Sequence, residues 1–482
     1  YTFETGKKFT KAVNVYYEDG SSIAAQSNKT TSLNETRNMT QSRTYQFYAN
    51  YQNKWTDHSL NAMVGYEGYK HKWENLGASR NNYELDTYPY LNLGPEDYQY
   101  NSGSAGHNAY QSVFGRAMYS YKDRYMLQAN VRADASSRFA SDYRWGVFPS
   151  VSAGWVISSE SWFPKDKQID YLKVRASIGS LGNERISDAE FPYQAAINFG
   201  NSYMYDKGSQ SVTAVQNAAQ YNYAFNDITW ETTTTYDIGI DITLLNNRLS
   251  LTGDYYYKKT TDLLNTVSLP SSSGYKSTVR NIGSISNQGV ELLIEGDVVQ
   301  NKDFGLTLQF NIAHNKNRVE ELADGKDILG TTYSNYGSGS ITIIREGEPL
   351  GAFYVYKDTG LDENGSLSYE DMNGDGQYTD TEDRYIAGSP FPDFTYGLNC
   401  GIRYKNWDFN FFLQGSQGND VFNLSEMRNY SYGQGMNIER KVYYESWREG
   451  QDNSHAAYPK INAVGSLKYS DRFIENGSYL RL

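Results

Sequence analysis

The chain has 482 residues and a formal net charge of -12, with 15% aromatics of which tyrosine alone numbers 45. The acid excess argues against nucleic acid as a partner, the single cysteine cannot form an internal disulfide, and no run approaches the roughly 18 apolar residues of a membrane-spanning helix. None of this excludes the membrane, because barrel strands alternate and raise no hydropathy peak.

Taken in order, the first forty residues read as a strand over FTKAVNVYY from Phe9, followed by a Ser-, Thr- and Asn-rich polar loop to Ser42. Tyr45, Phe47, Ala49 and Tyr51 then alternate with Gln46, Tyr48, Asn50 and Gln52, and after Thr56-Asp57-His58 the pattern returns through Leu60, Ala62, Val64 and Tyr66. A period of two places these sets on opposite faces of a strand pair. From His71 to Asn108 the reading is a long irregular segment rich in aromatics.

The clearest hairpin follows. Val113, Gly115, Ala117, Tyr119 and Tyr121 alternate up to Lys122-Asp123-Arg124, and Tyr125, Leu127, Ala129 and Val131 resume against Met126, Gln128, Asn130 and Arg132. Downstream, Val147 to Ile157 and Leu172 to Ile178 give two strands, and Leu181 to Thr229 a loop. Tyr236 to Leu244 pairs with Leu249 to Tyr255 across Asn246-Asn247, and Val290 to Ile294 pairs with Leu306 to Ile312. After a long segment from Asn315 to Asp393, Tyr396 to Tyr404 pairs with Phe409 to Leu413, with Cys400 on the outward apolar face.

That makes about twelve strands of roughly 10 residues, the length that crosses a bilayer when tilted. Turns within pairs are short and connections between pairs are long, the asymmetry of short periplasmic turns and long extracellular loops. The fold class expected is all-β, a transmembrane antiparallel β-barrel. Gln46, Asn50, Gln128 and Asn130 would face a polar lumen suited to hydrated solutes. A soluble antiparallel sheet with one wet face remains open at this point, and with it a secreted calcium-dependent carbohydrate-binding or degrading β-protein.

One stretch carries metal chemistry. Asp371, Asn373, Asp375, Gln377, Thr379 and Glu382 stand where the D-x-N-x-D-G-x5-E loop places the ligands of Ca2+, with Gly376 at the sharp turn. No flanking helices are evident, so the expected role is stiffening an extracellular loop. The five histidines, His58, His71, His107, His314 and His455, are scattered and no nucleophile or phosphate-binding motif is present. Neither an enzyme nor an organic cofactor is expected. Trp73, Tyr203, Tyr205, Tyr333, Tyr336, Tyr430 and Tyr432 are loop aromatics that could stack on a substrate or pack the loops and meet a lid.

The phrases FGRAMYSYKDRYMLQANVRADASSRF, RWGVFPSVSAGW, LKVRASIGSLGN, NQGVELLIEG and PFPDFTYGLNCGIRYKNWDFNFFLQGSQGNDVFN, with ENGSYLRL at 475–482, together resemble the SusC/RagA family of TonB-dependent outer-membrane transporters. The resemblance implies a barrel of about 22 strands with an N-terminal plug, energised through TonB and covered by a SusD-like lipoprotein lid. It implies import of oligosaccharides or peptides too large for porins. No plug, TonB-contacting box or closing strands are recognisable between Tyr1 and Leu482. The expectation is therefore that residues 1–482 are the barrel portion of a longer polypeptide, with 315–393 an extracellular loop segment.

Overall fold

The computed structural model describes the chain apart from residues 12–13, 17–21, 25–29, 85–86, 165–167, 186–189, 207–211, 221, 276, 323–324, 334–338, 431–436 and 462–466; at 14–16, 22–24, 198–206, 212–217, 222, 268 and 428 the backbone alone is described. One antiparallel sheet of 14 strands dominates, each strand hydrogen-bonded to the next in chain order. We number these β1 (Thr2–Thr10), β2 (Ser32–Trp55), β3 (His58–Asn81), β4 (Gln99–Tyr121), β5 (Tyr125–Ser136), β6 (Trp145–Val156) and β7 (Ile169–Asn183). The second half comprises β8 (Glu231–Leu244), β9 (Leu249–Thr261), β10 (Gly283–Gln300), β11 (Phe304–Leu322), β12 (Phe394–Tyr404), β13 (Trp407–Gln417) and β14 (Tyr479–Arg481).

The connections fall on two ends. At one end lie 56–57, 122–124, 157–168, 245–248, 301–303 and 405–406; at the other lie 11–31, 82–98, 137–144, 184–230, 262–282, 323–393 and 418–478. The tight turns bend through left-handed backbone, with positive φ at Thr56, Lys122, Asp123, Leu245, Asn246, Asn247 and Lys405. Such a turn matches the right-handed twist of the strands it joins. The sidedness expected from loop lengths is therefore present.

The strands are longer than expected. β2 and β3 each run 24 residues, about 80 Å at a strand rise of ~3.3 Å, far beyond the thickness of a bilayer. Ser32–Ser42, read as polar loop, is strand paired to β3 throughout and to β1 over Ser32–Thr40, and most of His71–Asn108 belongs to β3 and β4, leaving 82–98 as the connection between them. Likewise the excursion assigned to 315–393 starts only after Leu322. Outside lipid nothing forces apolar alternation, so these strand ends look like loops in sequence while their ladders continue.

The largest buried cluster lies off the wall. Ile341, Phe353, Val355, Leu367, Val442 and Phe473 are among the residues that form it, all from the connections 323–393 and 418–478. A smaller one joins Phe139, Phe148, Ile228 and Trp230. The wall needs no core, since one face is apolar and the other wet.

Candidate functional site

Register separates the chemistry of the two faces row by row. Tyr51, Ala62, Ala117, Ala129, Val151, Ile178 and Tyr236 are successive partners across β2 to β8, all apolar or aromatic. One residue along, Gln52, Asn61, Met118, Gln128, Ser152, Ser177 and Asp237 form the next row on the opposite face. A shift of one residue would exchange the faces, so burial of one against lipid fixes the register. The apolar rows are open: Leu127 is 50% exposed, Val131 49% and Ile238 55%. A continuous apolar surface this size on a folded protein marks a membrane contact. Tyr121, Tyr125 and Trp155 stack in file at the short-turn end and Trp162 meets Trp155 edge-on, with neighbouring ring centres 6.3 to 6.4 Å apart, where an interfacial girdle belongs.

The polar rows line the concave face. A cavity of about 640 Å³ is bordered by Gln52, Asn61, Gln128, Ser152, Arg175 and Asp237, and another of about 560 Å³ by Asn130, Arg132, Asp134 and Ser150. The cations Arg132 and Arg175 are ion-paired within the wall, with carboxylates in excess. Arg175 on β7 reaches Asp254 at 2.6 Å, Asp241 at 3.3 Å and Asp237 at 3.7 Å. Gly239 makes room for it, since a Cβ there would collide with Asp254 and the guanidinium. Farther up, Glu67 accepts from Gln46 at 2.8 Å and from the Tyr110 hydroxyl at 2.7 Å, while Arg132 donates to Asp134 at 2.7 Å and Ser112 at 2.7 Å. Polar side chains held this way present a fixed hydrogen-bonding surface to a hydrated solute. The expected lumen residues Gln128 and Asn130 belong to it, Asn130 donating to Ser150 at 3.0 Å. The Arg175 and Glu67 clusters were missed in sequence; their signal was charged residues recurring at the inward parity of strands whose outward parity is apolar.

At the long-loop end the two largest connections fold into one cap. The Arg472 guanidinium meets Asp358 at 2.8 Å, both side chains less than one fifth exposed. Asp471 accepts the Asp358 N–H at 2.8 Å and the Tyr385 hydroxyl at 2.7 Å, and the Tyr356 N–H donates to the Tyr469 carbonyl at 2.9 Å. Burial pushes the Asp358 carboxyl above its ordinary value, against the pull of Arg472. Burial, then the hydrogen bond to Asp380 at 2.6 Å, pushes the Tyr356 hydroxyl well up. Tyr458 rises to about 12, chiefly through burial.

The 371–382 loop sits on this cap. Asp371 accepts the N–H groups of Gly374 and Gly376, each at 2.7 Å, and Asp375 accepts that of Gln377 at 2.7 Å. Gly374 and Gly376 have φ of 76° and 79°, left-handed values that glycine adopts at no steric cost. Positions three and twelve of the pattern touch, Asn373 donating to Glu382 at 3.0 Å, and Thr379 donates to Glu382 at 3.5 Å. Asp383 is fully buried beneath; the N–H groups of Thr379 and Met372 hold its carboxyl below the usual range. The donors are hard oxygens, the set that suits Ca2+. Among the described residues, no three His, Cys, Asp or Glu side chains already converge as a metal site.

The aromatic candidates scatter. Trp73 is in β3, with its indole N–H donating to Glu190 at 2.6 Å. Tyr333 is 40% exposed on the cap. Tyr430 is 7% exposed, packed 4.8 Å from Tyr458 and 5.1 Å from Phe473, so its ring is part of the cap core. Tyr203 and Tyr205 lie in the strand Ile197–Asp206, whose side chains from residue 198 onward are outside the described set, and Tyr336 and Tyr432 lie outside the described residues altogether. Cys400 is 5% exposed, in register between Leu308 and Phe411.

Comparison with known proteins agrees with this geometry. The family model described as TonB dependent receptor-like, beta-barrel matches residues 1–434. TonB-dependent receptor P3 of Formosa agariphila is 32% identical over 453 residues, covering 90% of this chain and 44% of that protein. TonB-dependent receptor SusC of Bacteroides thetaiotaomicron is 33% identical over 389 residues, covering 78% of this chain and 37% of that protein. Among solved structures, one described as the RagAB peptide transporter superposes with a TM-score of 0.80 at 26% identity, over 95% of this chain and 50% of that one. The chain thus spans half or less of the length of these relatives. With its apolar rows facing lipid and its long connections gathered at one end, the chain belongs to the TonB-dependent receptor β-barrel family, of the SusC/RagA type, and is part of a barrel of the bacterial outer membrane.

Proposed function

We propose that this chain supplies the wall, lumen face and extracellular cap of an active importer for oligosaccharides or peptides, acting with a plug moved by TonB and a SusD-like surface lipoprotein. It is a transporter, not an enzyme. The observation that carries this reading is the pairing of a polar concave face, its Arg132 and Arg175 held in ion pairs, with an outward apolar one, a wall that passes hydrated solutes through lipid. Likeness to the structure described as the RagAB peptide transporter supports the peptide alternative. A secreted carbohydrate-binding protein would have no use for the exposed rows through Leu127 and Val131. Deleting the gene should abolish growth on one oligosaccharide or peptide source, and loss of TonB should do the same. Uptake that persists without either would refute the proposal.

We propose further that residues 371–382 bind Ca2+, with Asp371, Asn373, Asp375, the Gln377 carbonyl, Thr379 (directly or through water) and Glu382 as ligands. The full sequence pattern and the contact of Asn373 with Glu382 favour it. A bound cation would offset repulsion among these carboxylates and stiffen the cap. Chelation should expose the loop to protease near Asp371 while the barrel stays folded; equal cleavage with and without chelator would refute it.

A further inference from the structure

Just above the apolar rows, β2 and β3 carry two cations face to face. Arg43 and Lys70 are direct ladder partners on the outward face. Among the described residues, neither meets a carboxylate. The neighbouring outward cation Lys72 is by contrast ion-paired, with Glu74. Like charges directly opposite in a ladder destabilise the pair, so an outward Arg–Lys pair with no counter-ion among the described residues calls for one from outside these strands.

Its height identifies the source. The outward residues of β2 from Tyr45 to Trp55 are apolar or aromatic apart from Asn53, and Trp55 lies at the short-turn end. Ten residues at ~3.3 Å, on strands tilted about 40°, span roughly 25 Å of membrane, the height of a barrel's apolar band. Arg43 lies one outward step, about 5 Å, beyond Tyr45 on the long-loop side. That is the level of the outer-leaflet headgroups. Directly below, Tyr45, Phe47, Tyr66 and Val113 are 57%, 67%, 40% and 52% exposed and offer a surface for acyl chains. At Gly68, the ladder partner of Tyr45, the Tyr66 ring lies across the strand beneath Lys70 and adds to that surface.

We propose that Arg43 and Lys70 form a binding site for the phosphate of an outer-leaflet lipid, with the acyl chains lying on the rows of Tyr45 and Phe47. A guanidinium pairs with phosphate oxygens through two parallel hydrogen bonds, and the ammonium adds a second charge. The site would anchor the wall at a fixed depth on the side of the cap.

The test uses the full-length receptor, delipidated in detergent and examined by native mass spectrometry. The probes are diphosphorylated lipid A, its dephosphorylated form, phosphatidylglycerol and inorganic phosphate. Retention of lipid A should fall about 30-fold in the Arg43→Gln/Lys70→Gln variant and in the wild type given dephosphorylated lipid, while inorganic phosphate at equal concentration should not compete. Phosphatidylglycerol held as tightly as lipid A would still support a phosphate-lipid site. Equal retention by variant and wild type, or of the dephosphorylated lipid, would overturn the proposal, and so would effective competition by inorganic phosphate. Should the double variant fail to give a heat-modifiable barrel, the wild type decides: binding unchanged between about 0.1 and 1 M salt overturns the site, and weakening supports it.

Discussion

Ala129 and Gln128 are neighbours on β5 that the register sends to opposite sides of the wall, and arginine at each should separate lipid from lumen. Ala129 is four residues from Tyr125 in the short-turn girdle. At ~3.3 Å per residue and a tilt of about 40°, it sits roughly 10 Å into a band about 25 Å tall, close to the midplane. An arginine on the lipid face there costs about 2–4 kcal/mol. Its register partners Ala117 and Val151 offer no polar group to receive the guanidinium, which places Ala129→Arg in the upper part of that range. Gln128→Arg points into a cavity of about 640 Å³ bordered by Ser152 and Asp237, where water and carboxylates receive it, at a cost within about 1 kcal/mol. Equilibrium unfolding of the full-length protein in lipid vesicles, followed by tryptophan fluorescence, measures both. If Gln128→Arg proved as destabilising as Ala129→Arg, the assignment of faces would be wrong, and the importer reading with it.

Removing Arg472 should disrupt the cap without touching the barrel: Arg472→Met leaves Asp358 buried and unpaired, a loss of about 3–5 kcal/mol visible as faster hydrogen exchange at 352–361 while heat-modifiability on gels is unchanged. Asp358→Asn should cost a similar amount, because it leaves the Arg472 guanidinium, 18% exposed, without a counter-charge. Asp383 makes the same cap sensitive to acid. Its carboxyl is held below the unfolded value of about 3.9, so its stabilisation is complete above that pH and is lost as the pH falls through the lower folded value. Exchange at the amides of Met372 and Thr379 should therefore rise on acidification below about pH 4, and Asp383→Asn should remove that dependence.

How much of this fold could be read from the sequence depends on what surrounds each strand. Where lipid lies outside, every second residue must be apolar, so Val113 to Val131 was legible as a hairpin, down to which of Gln128 and Ala129 faces inward. Beyond the bilayer both faces meet water. The ladder of Ser32–Ser42 with His71–Asn81, and of Ser32–Thr40 with Thr2–Thr10, is held by backbone hydrogen bonds with no apolar periodicity, and reads as loop. Arg43 and Lys70 lie just beyond those segments, next to Ser42 and His71, and only the register shows that they face each other.

The cap was illegible for a different reason. Its core residues come from isolated loop positions and from short elements, such as the strands Ala352–Tyr356 and Leu367–Tyr369 and the helix Arg440–Glu445, too short to show a period. Its pinning contacts also join residues far apart in sequence, Asp358 to Arg472 and Tyr356 to Tyr469. Only the local motif at 371–382 could be seen, because a calcium loop is written in consecutive residues whereas a core is written in contacts. This bears on how the cap would work. A loop closing on a solute alone could move residue by residue, but two connections sharing one buried cluster and an ion pair must move as a body, pivoting where β11, β12 and β13 leave the wall. Any partner or solute that shifts 323–393 thereby shifts 418–478, and with it the short return strand Tyr479–Arg481 on the edge of β13.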